Sequence, residues 1–151
     1  MATEIGPYAV RRSIWIDAVP ERVWEEFATF ERMVDWYGTG HTLVKYEPFR
    51  GGLVETDAAS DQGDGDTFRF TGRILVFDPP RELTFEQEWL GHGWIAPALI
   101  TLRCTAVDDG TLVELFHHGF ERVAADPGAL LRGFEAGWTT RQLEALRDRT
   151  Q

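Results

Sequence analysis

Stretches in which apolar and polar residues alternate fill the middle of this chain, and stretches with helical spacing lie on either side of them. The first alternating piece, YAVRRSIWID from Tyr8 to Asp17, is rich in β-forming residues and predicts a strand. VPERVWEEF then changes the period. Pro20 suits the first turn of a helix, where its missing N–H would be unpaired anyway, and Glu21 lies near the positive end of the helix dipole. Val23, Trp24, Phe27 and Phe30 recur at the spacing of one helical face. A second short helix, about Glu31 to Trp36, ends in WYGTG, where glycines break it.

Strand signals follow. Thr42 to Tyr46 and Leu53 to Asp57 flank the turn-like insert EPFRGG. AASDQGDGD is polar and glycine-rich and predicts a hairpin loop; its aspartates miss the calcium-loop spacing, which needs a glycine at the sixth position and a glutamate at the twelfth. From Thr67 to Phe77, Phe68, Phe70, Gly72, Ile74 and Val76 share one face. DPP turns the chain, since proline cannot extend an internal ladder. From Glu82 to Trp89, Leu83, Phe85, Gln87 and Trp89 face one way while Glu82, Thr84, Glu86 and Glu88 face the other. LGHGWIAP connects to a strand from Ala98 to Val107, with Ile100, Leu102, Cys104 and Ala106 inward. DDG signals a hairpin, and Thr111 to His118 is the last strand. Asp126 can then cap a helix with Pro127 in its first turn, running to about Arg149. Leu131, Phe134, Trp138, Ala145 and Leu146 form its apolar stripe.

One strand, two short helices, six strands and one long helix imply an α+β fold. Consecutive strands with one apolar face make an antiparallel sheet, and that face must be covered. The C-terminal helix is the only element long enough to cover it, so the expected architecture is a curved sheet of about seven strands wrapped around that helix.

LFHHGF places two histidines side by side. Adjacent strand residues point to opposite faces, so His117 and His118 are badly placed to share one metal, and no other histidine or cysteine has zinc-like spacing to join either. With Glu114 outward, Val113, Leu115 and His117 face the helix while Phe116 and His118 face away. Two polar residues, Glu135 and Gln142, interrupt the apolar stripe. Either Glu135 pairs with His117 or sits in water at a cavity mouth, or the two are polar anchors in an apolar pocket; a buried carboxylate needs a partner.

Composition narrows the function. The chain has 151 residues, 43% of them apolar, with 6 Trp, 10 Phe and 3 Tyr, which suits one globular domain spanning residues 1–151. Its 25 acidic against 15 basic residues, a formal net charge of −10, disfavour nucleic acid and anionic membrane surfaces. The lone cysteine, Cys104, cannot form an internal disulfide, and MATEIGPYAV lacks a secretory pattern. The longest uncharged stretch, Trp89 to Leu102, is too short to span a bilayer. A cytoplasmic location is expected. No phosphate-binding loop, dinucleotide fingerprint or nucleophile elbow is present, so no cofactor is implied.

Five segments in order, IDAVPERVWEEF, WYG, GRILVFDPPRELTFEQEW, GTLVELFHHGF and FEAGWTTRQLEAL, resemble the homologues of the activator of the heat-shock-ninety chaperone's ATPase, within the START-like, birch-pollen-allergen-like (SRPBCC) superfamily. The resemblance runs from about residue 8 to 149. It implies the helix-grip fold, with a deep cavity under the C-terminal helix. His117, Gly119 and Phe120 match the family's H.GF, and Glu135, Gly137 and Trp138 its E.GW; these are signature positions, with no catalytic role assigned to them. The namesake co-chaperone has a further N-terminal domain for which these residues have no room, so chaperone activation is not expected.

Three functions follow. The first is binding of a small hydrophobic molecule in a cavity lined by Trp36, Tyr37, Phe68, Phe70, Phe85, Trp89, His117, Glu135 and Trp138, with the opposing view that the aromatics fill that space themselves. The second is a cyclase, aromatase or dehydratase using His117 and Glu135, with Tyr37 behind them, as acid and base. The third is a protein-interaction role in which Glu82, Glu86 and Glu88 meet a basic partner. A homodimer stays open.

Overall fold

In the computed structural model, the described residues are 3–38, 41–59 and 67–151. Strand β1 (Val10–Ile16) leads into helix α1 (Pro20–Trp24), a single 3-10 turn (Glu25–Phe27) and helix α2 (Phe30–Tyr37). Strands β2 (Thr42–Tyr46), β3 (Leu53–Ala59), β4 (Thr67–Asp78), β5 (Glu82–Trp89), β6 (Ala98–Val107) and β7 (Gly110–His118) follow as a meander. Another 3-10 turn (Phe120–Arg122) precedes helices α3 (Pro127–Gly137) and α4 (Arg141–Thr150). The polar loop expected between β3 and β4 lies, over 60–66, outside the described residues.

The seven strands form one antiparallel sheet in the order β1-β7-β6-β5-β4-β3-β2, so β1 returns beside the last strand. The sheet curls into a half-barrel around the helices, which is the expected α+β helix-grip fold. Its core joins Ile16, Val23 and Phe27 to Met33 and Trp36, to Leu83, Ile100, Leu102 and Val113 of the sheet, and to Leu143 and Leu146 of α4. Each such side chain contributes roughly 1.5–3 kcal/mol on burial. Asp126 caps α3 as expected, accepting from the Ala129 N–H at 3.1 Å, and Thr29, which the pattern did not single out, caps α2 by accepting from the Arg32 N–H at 3.2 Å.

Three features differ from the pattern reading. The C-terminal helix is in two pieces, because Trp138 adopts extended backbone (φ −79, ψ 135). Arg12 of β1 stabilises the break, donating to the carbonyl oxygens of Glu135 at 3.0 Å and Trp138 at 3.2 Å, which the end of α3 leaves unpaired. In β4 a bulge between Ile74 and Val76 shifts the register, so Phe77, and not Val76, packs on the core, edge-on to Trp24. Just before it, a side chain at Gly72 would collide with the Glu86 carbonyl oxygen, so only glycine allows the strands to approach there.

The third difference is on the outer face of the sheet. His118 and Glu82, both expected in water, are 2% and 4% exposed. Thr3 lies over Glu82: Thr3 Oγ1 donates to Glu82 Oε2 at 2.6 Å, and the Arg103 guanidinium bonds both Glu82 Oε1, at 3.0 Å, and the Thr3 carbonyl. From Glu82 the chain of bonds continues through Thr84 and Thr101 to His118 Nε2, with links of 3.0, 2.9 and 2.9 Å. Phe116 lies between the guanidinium groups of Arg11 and Arg103. Alternation placed these residues on the outer face correctly; Thr3 and Arg103 cover Glu82, and His118 is tied to Thr101. Of the acidic row, Glu82 is therefore buried, while Glu86 and Glu88 are half-buried.

Candidate ligand cavity between the sheet and the C-terminal helices

A cavity of about 320 Å³ lies under the break between α3 and α4. Thr56 and Ala58 of β3, Phe70 of β4, Gln87 of β5 and His117 of β7 form its sheet side. Phe134, Gly137, Trp138, Thr139, Arg141 and Gln142 form the helix side, and His41, just after α2, closes one end. The helix break is what makes the space. A continuous helix would carry Trp138 onward around its axis; the extended residue instead lets Trp138 Nε1 donate to His117 Nδ1 at 2.9 Å.

The polar atoms of this wall are unusual. Among the described residues, five buried side-chain atoms have no hydrogen-bond partner: His41 Nε2, Gln87 Oε1, Trp89 Nε1, His117 Nε2 and Gln142 Oε1. All but Trp89 belong to residues that line the cavity. Leaving a buried polar group unpaired costs about 1–3 kcal/mol, so such a cluster calls for a physical reason.

Electrostatics sets the charge state of this wall. Burial disfavours the imidazolium and pushes the His117 pKa down from 6.5 to about 3 and that of His41 to about 4, so both rings are neutral at pH 7. Among the described residues, no carboxylate, thiol or serine lines the cavity, and no group of three or more metal-ligating side chains occurs. The described wall offers polar side chains and aromatic faces.

The sequence-derived candidates separate into groups. Phe70, His117 and Trp138 meet at the cavity. Trp36, Tyr37 and Phe85 are buried in the core behind it: Trp36 Nε1 donates to the Glu26 carbonyl at 2.9 Å, and Tyr37 packs edge-on to Phe85. Trp89 stacks on His92 near the end of the sheet, beside Phe70, and Phe68 meets both rings edge-on. Glu135 lies outside. Its side chain is 52% exposed and pairs with Arg12 at 3.2 Å, because the turn of α3 carries it away from His117. The partner of His117 is Trp138. Sequence reasoning flagged Gln142 as a polar residue in the apolar stripe and Gln87 as inward-facing, and both signals were sufficient to name them. His41 carries no such signal, because it sits in an irregular segment.

A larger groove of about 570 Å³ runs between α1 and the β4–β6 end of the sheet, near Pro20, Arg81 and Arg103. Apart from Glu21, its charged groups already pair, Arg81 with Asp78 and Arg103 with Glu82, and among the described residues it holds no unpaired buried atom. The smaller cavity is therefore the better candidate site.

Comparison with known proteins fits this geometry. The family model described as "Activator of Hsp90 ATPase homolog 1-like protein" matches residues 17–149. The chain belongs to this family. The match to this activator-homologue family spans both halves of the cavity, from the sheet to α4. No curated protein sequence matches the chain. Among solved structures, a protein from Chromobacterium violaceum is similar with a TM-score of 0.70 at 17% identity, covering 96% of this chain and 98% of that one. The Aha1 dimer from Colwellia psychrerythraea gives 0.60 at 14% identity, covering 94% and 95%. DynU16, a protein in the dynemicin biosynthetic locus, gives 0.64 at 20% identity, covering 95% of this chain and 47% of that one. These likenesses show the shared fold. No helix among the described residues is long and apolar enough to cross a membrane.

Proposed function

We propose that this member of the activator-homologue family is a small-molecule binding protein whose ligand sits between the sheet and the α3–α4 break. The observation that carries this reading is a cavity whose wall sets the polar side chains of His41, Gln87, His117 and Gln142 among the aromatic faces of Phe70, Phe134 and Trp138. A mainly apolar wall with a few polar groups is the lining usual for a ligand pocket. The volume of about 320 Å³ lies at the small end of the roughly 300–1,000 Å³ usual for ligand pockets. The aromatic walls supply the apolar area. An acid–base role for His117 with Glu135 loses its support, since Glu135 pairs with Arg12 outside the cavity.

The test is native mass spectrometry of the protein purified from its own cells, with extraction of anything bound. A stoichiometric small molecule released by unfolding is the expected result. A protein that emerges empty, and whose cavity resonances do not move on addition of the small-molecule fraction of those cells, would refute the reading.

A further inference from the structure

The polar cluster on the outer face of the sheet has hydrogen bonds that all run one way. Thr84 Oγ1 donates to Glu82 Oε2 at 3.0 Å, so its single proton is spent. Thr101 must then donate to Thr84, and His118 Nε2 must donate to Thr101, each at 2.9 Å. Thr3 adds its backbone N–H, 3.3 Å from both Glu82 oxygens, and its hydroxyl, 2.6 Å from Oε2; Arg103 Nε adds another donor at 3.0 Å. Donors from several directions thus converge on one buried carboxylate, which while ionised can only accept.

Thr3 belongs to a segment with little else to hold it. Val10 begins β1 opposite His117 of β7, whereas Glu82 lies on β5, opposite Arg103 of β6. Residues 3–9 therefore reach from β1 past β7 and β6. On the way a side chain at Gly6 would lie 3.6 Å from Glu121 Oε1, and Ile5 is half-buried. Residues 4–9 make no hydrogen bond to any other described residue.

We propose that residues 3–9 are a strap fastened by one clasp, Thr3 on Glu82 and Arg103, and that acid opens the clasp while the sheet stays folded. A protonated Glu82 would bring a donor of its own to a point where donors already converge, and would lose its attraction to Arg103. One bond has to break. Thr84 and Arg103 are fixed in strands, so Thr3, on the loosely held segment, is the partner free to leave. His118 acts in the same direction. Its Nε2 already carries a proton, so acid adds the second at Nδ1. Burial disfavours that imidazolium, Glu121 and Glu82 favour it, and Arg103 and Arg122 oppose it. In the closed form both Glu82 and His118 are held below their ordinary pKa values, so proton uptake favours the open form. The strap lies on the face of the sheet opposite the cavity and is independent of the binding reading.

Backbone relaxation NMR of the full chain reads the strap at Ile5 and Gly6 and the sheet at Leu102 and Val113. At pH 7 all four should be rigid. Lowering the pH toward 4.5, the ordinary carboxyl value, should make Ile5 and Gly6 mobile while Leu102 and Val113 stay rigid. Glu82→Gln, which keeps the shape and removes the charge, should free the strap already at pH 7. Thr3→Val removes only a hydroxyl from a half-buried residue. It should leave the fold intact by circular dichroism and raise the open fraction about tenfold, so that release begins at a higher pH. Strap signals that are mobile in the unaltered protein at pH 7, that stay rigid in Glu82→Gln, or that loosen in acid only together with Leu102 and Val113 overturn the inference. So does an unchanged release in Thr3→Val, which decides the matter should Glu82→Gln fail to fold.

Discussion

His117 and His118 are neighbours in β7, both are buried, and burial holds both pKa values below 6.5, at about 3 and about 4. Their surroundings differ. On the outer face, His118 Nε2 ends a chain of bonds through Thr101 and Thr84 to Glu82, Thr3 and Arg103. On the inner face, His117 has one partner, Trp138, and its other nitrogen is buried with none. The outer network has the pattern of a structural device, with each polar group matched by another in the same chain. The inner one leaves a buried nitrogen unmatched on a residue that lines the cavity. Burial alone does not separate the two cases; the state of the second hydrogen bond does.

The largest expected effect that probes this comparison is acid sensitivity. Both histidines have folded pKa values below their unfolded value, so the unfolded chain takes up protons first. Their stabilisation is complete above about pH 6.5 and is lost as pH falls toward the folded values. At about 1.4 kcal/mol per pH unit, His117 should account for about 2 kcal/mol lost by pH 5. His118, whose pKa burial lowers to about 4, is likewise still neutral in the fold at pH 5 and should account for about the same, so the pair together should lose about 4 kcal/mol. Urea unfolding between pH 7 and 5 measures this, and His117→Phe and His118→Gln should each remove about half of the dependence. A variant that leaves the dependence unchanged would show that its histidine is not held neutral by burial.

Next in size is the outer network itself. Burial alone would raise the Glu82 carboxyl, but bonds from Thr3, Arg103 and Thr84 outweigh it and hold the pKa below the usual carboxylate value. Glu82→Ala leaves these donors unmatched and should cost about 3 kcal/mol by urea unfolding at pH 7. The inner face should behave in the opposite way. Gln142→Leu removes a buried, unpaired oxygen and should stabilise the free protein by about 1 kcal/mol, while weakening ligand binding. A loss of stability there would mean that Gln142 is a packing residue.

The smallest effect is expected at Glu135. Its pair with Arg12 is half exposed, so Glu135→Gln should change stability by no more than about 0.5 kcal/mol and leave the His117 titration unmoved. A shift of that titration would restore a link between the two residues.

Much of this molecule was legible beforehand. Strand alternation placed Leu83, Phe85 and Gln87 inward and separated His117 from His118, because neighbouring Cβ atoms on a pleated strand must point apart. The caps at Thr29 and Asp126 are local chemistry, and Asp126 with Pro127 announced a helix start in the sequence. The helix break was partly announced as well: Gly137 followed by Trp138 and two threonines is a weak helix, and the regular apolar stripe hid it. The β4 bulge and the need for glycine at 72 depend on how closely β5 approaches, which no periodicity in β4 records.

By itself, the sequence determined the order of elements, the antiparallel sheet, the faces of its strands and the family, since these follow from backbone geometry and from residues close together along the chain. Only the tertiary structure decided that Trp138 and not Glu135 meets His117, that Thr3 covers Glu82, and that His41, Gln87, His117 and Gln142 share one space. Those pairings join residues from 21 to more than 100 positions apart or from different elements. They depend on where the helix breaks and on which donor reaches a buried acceptor first, and neither leaves a mark in local pattern.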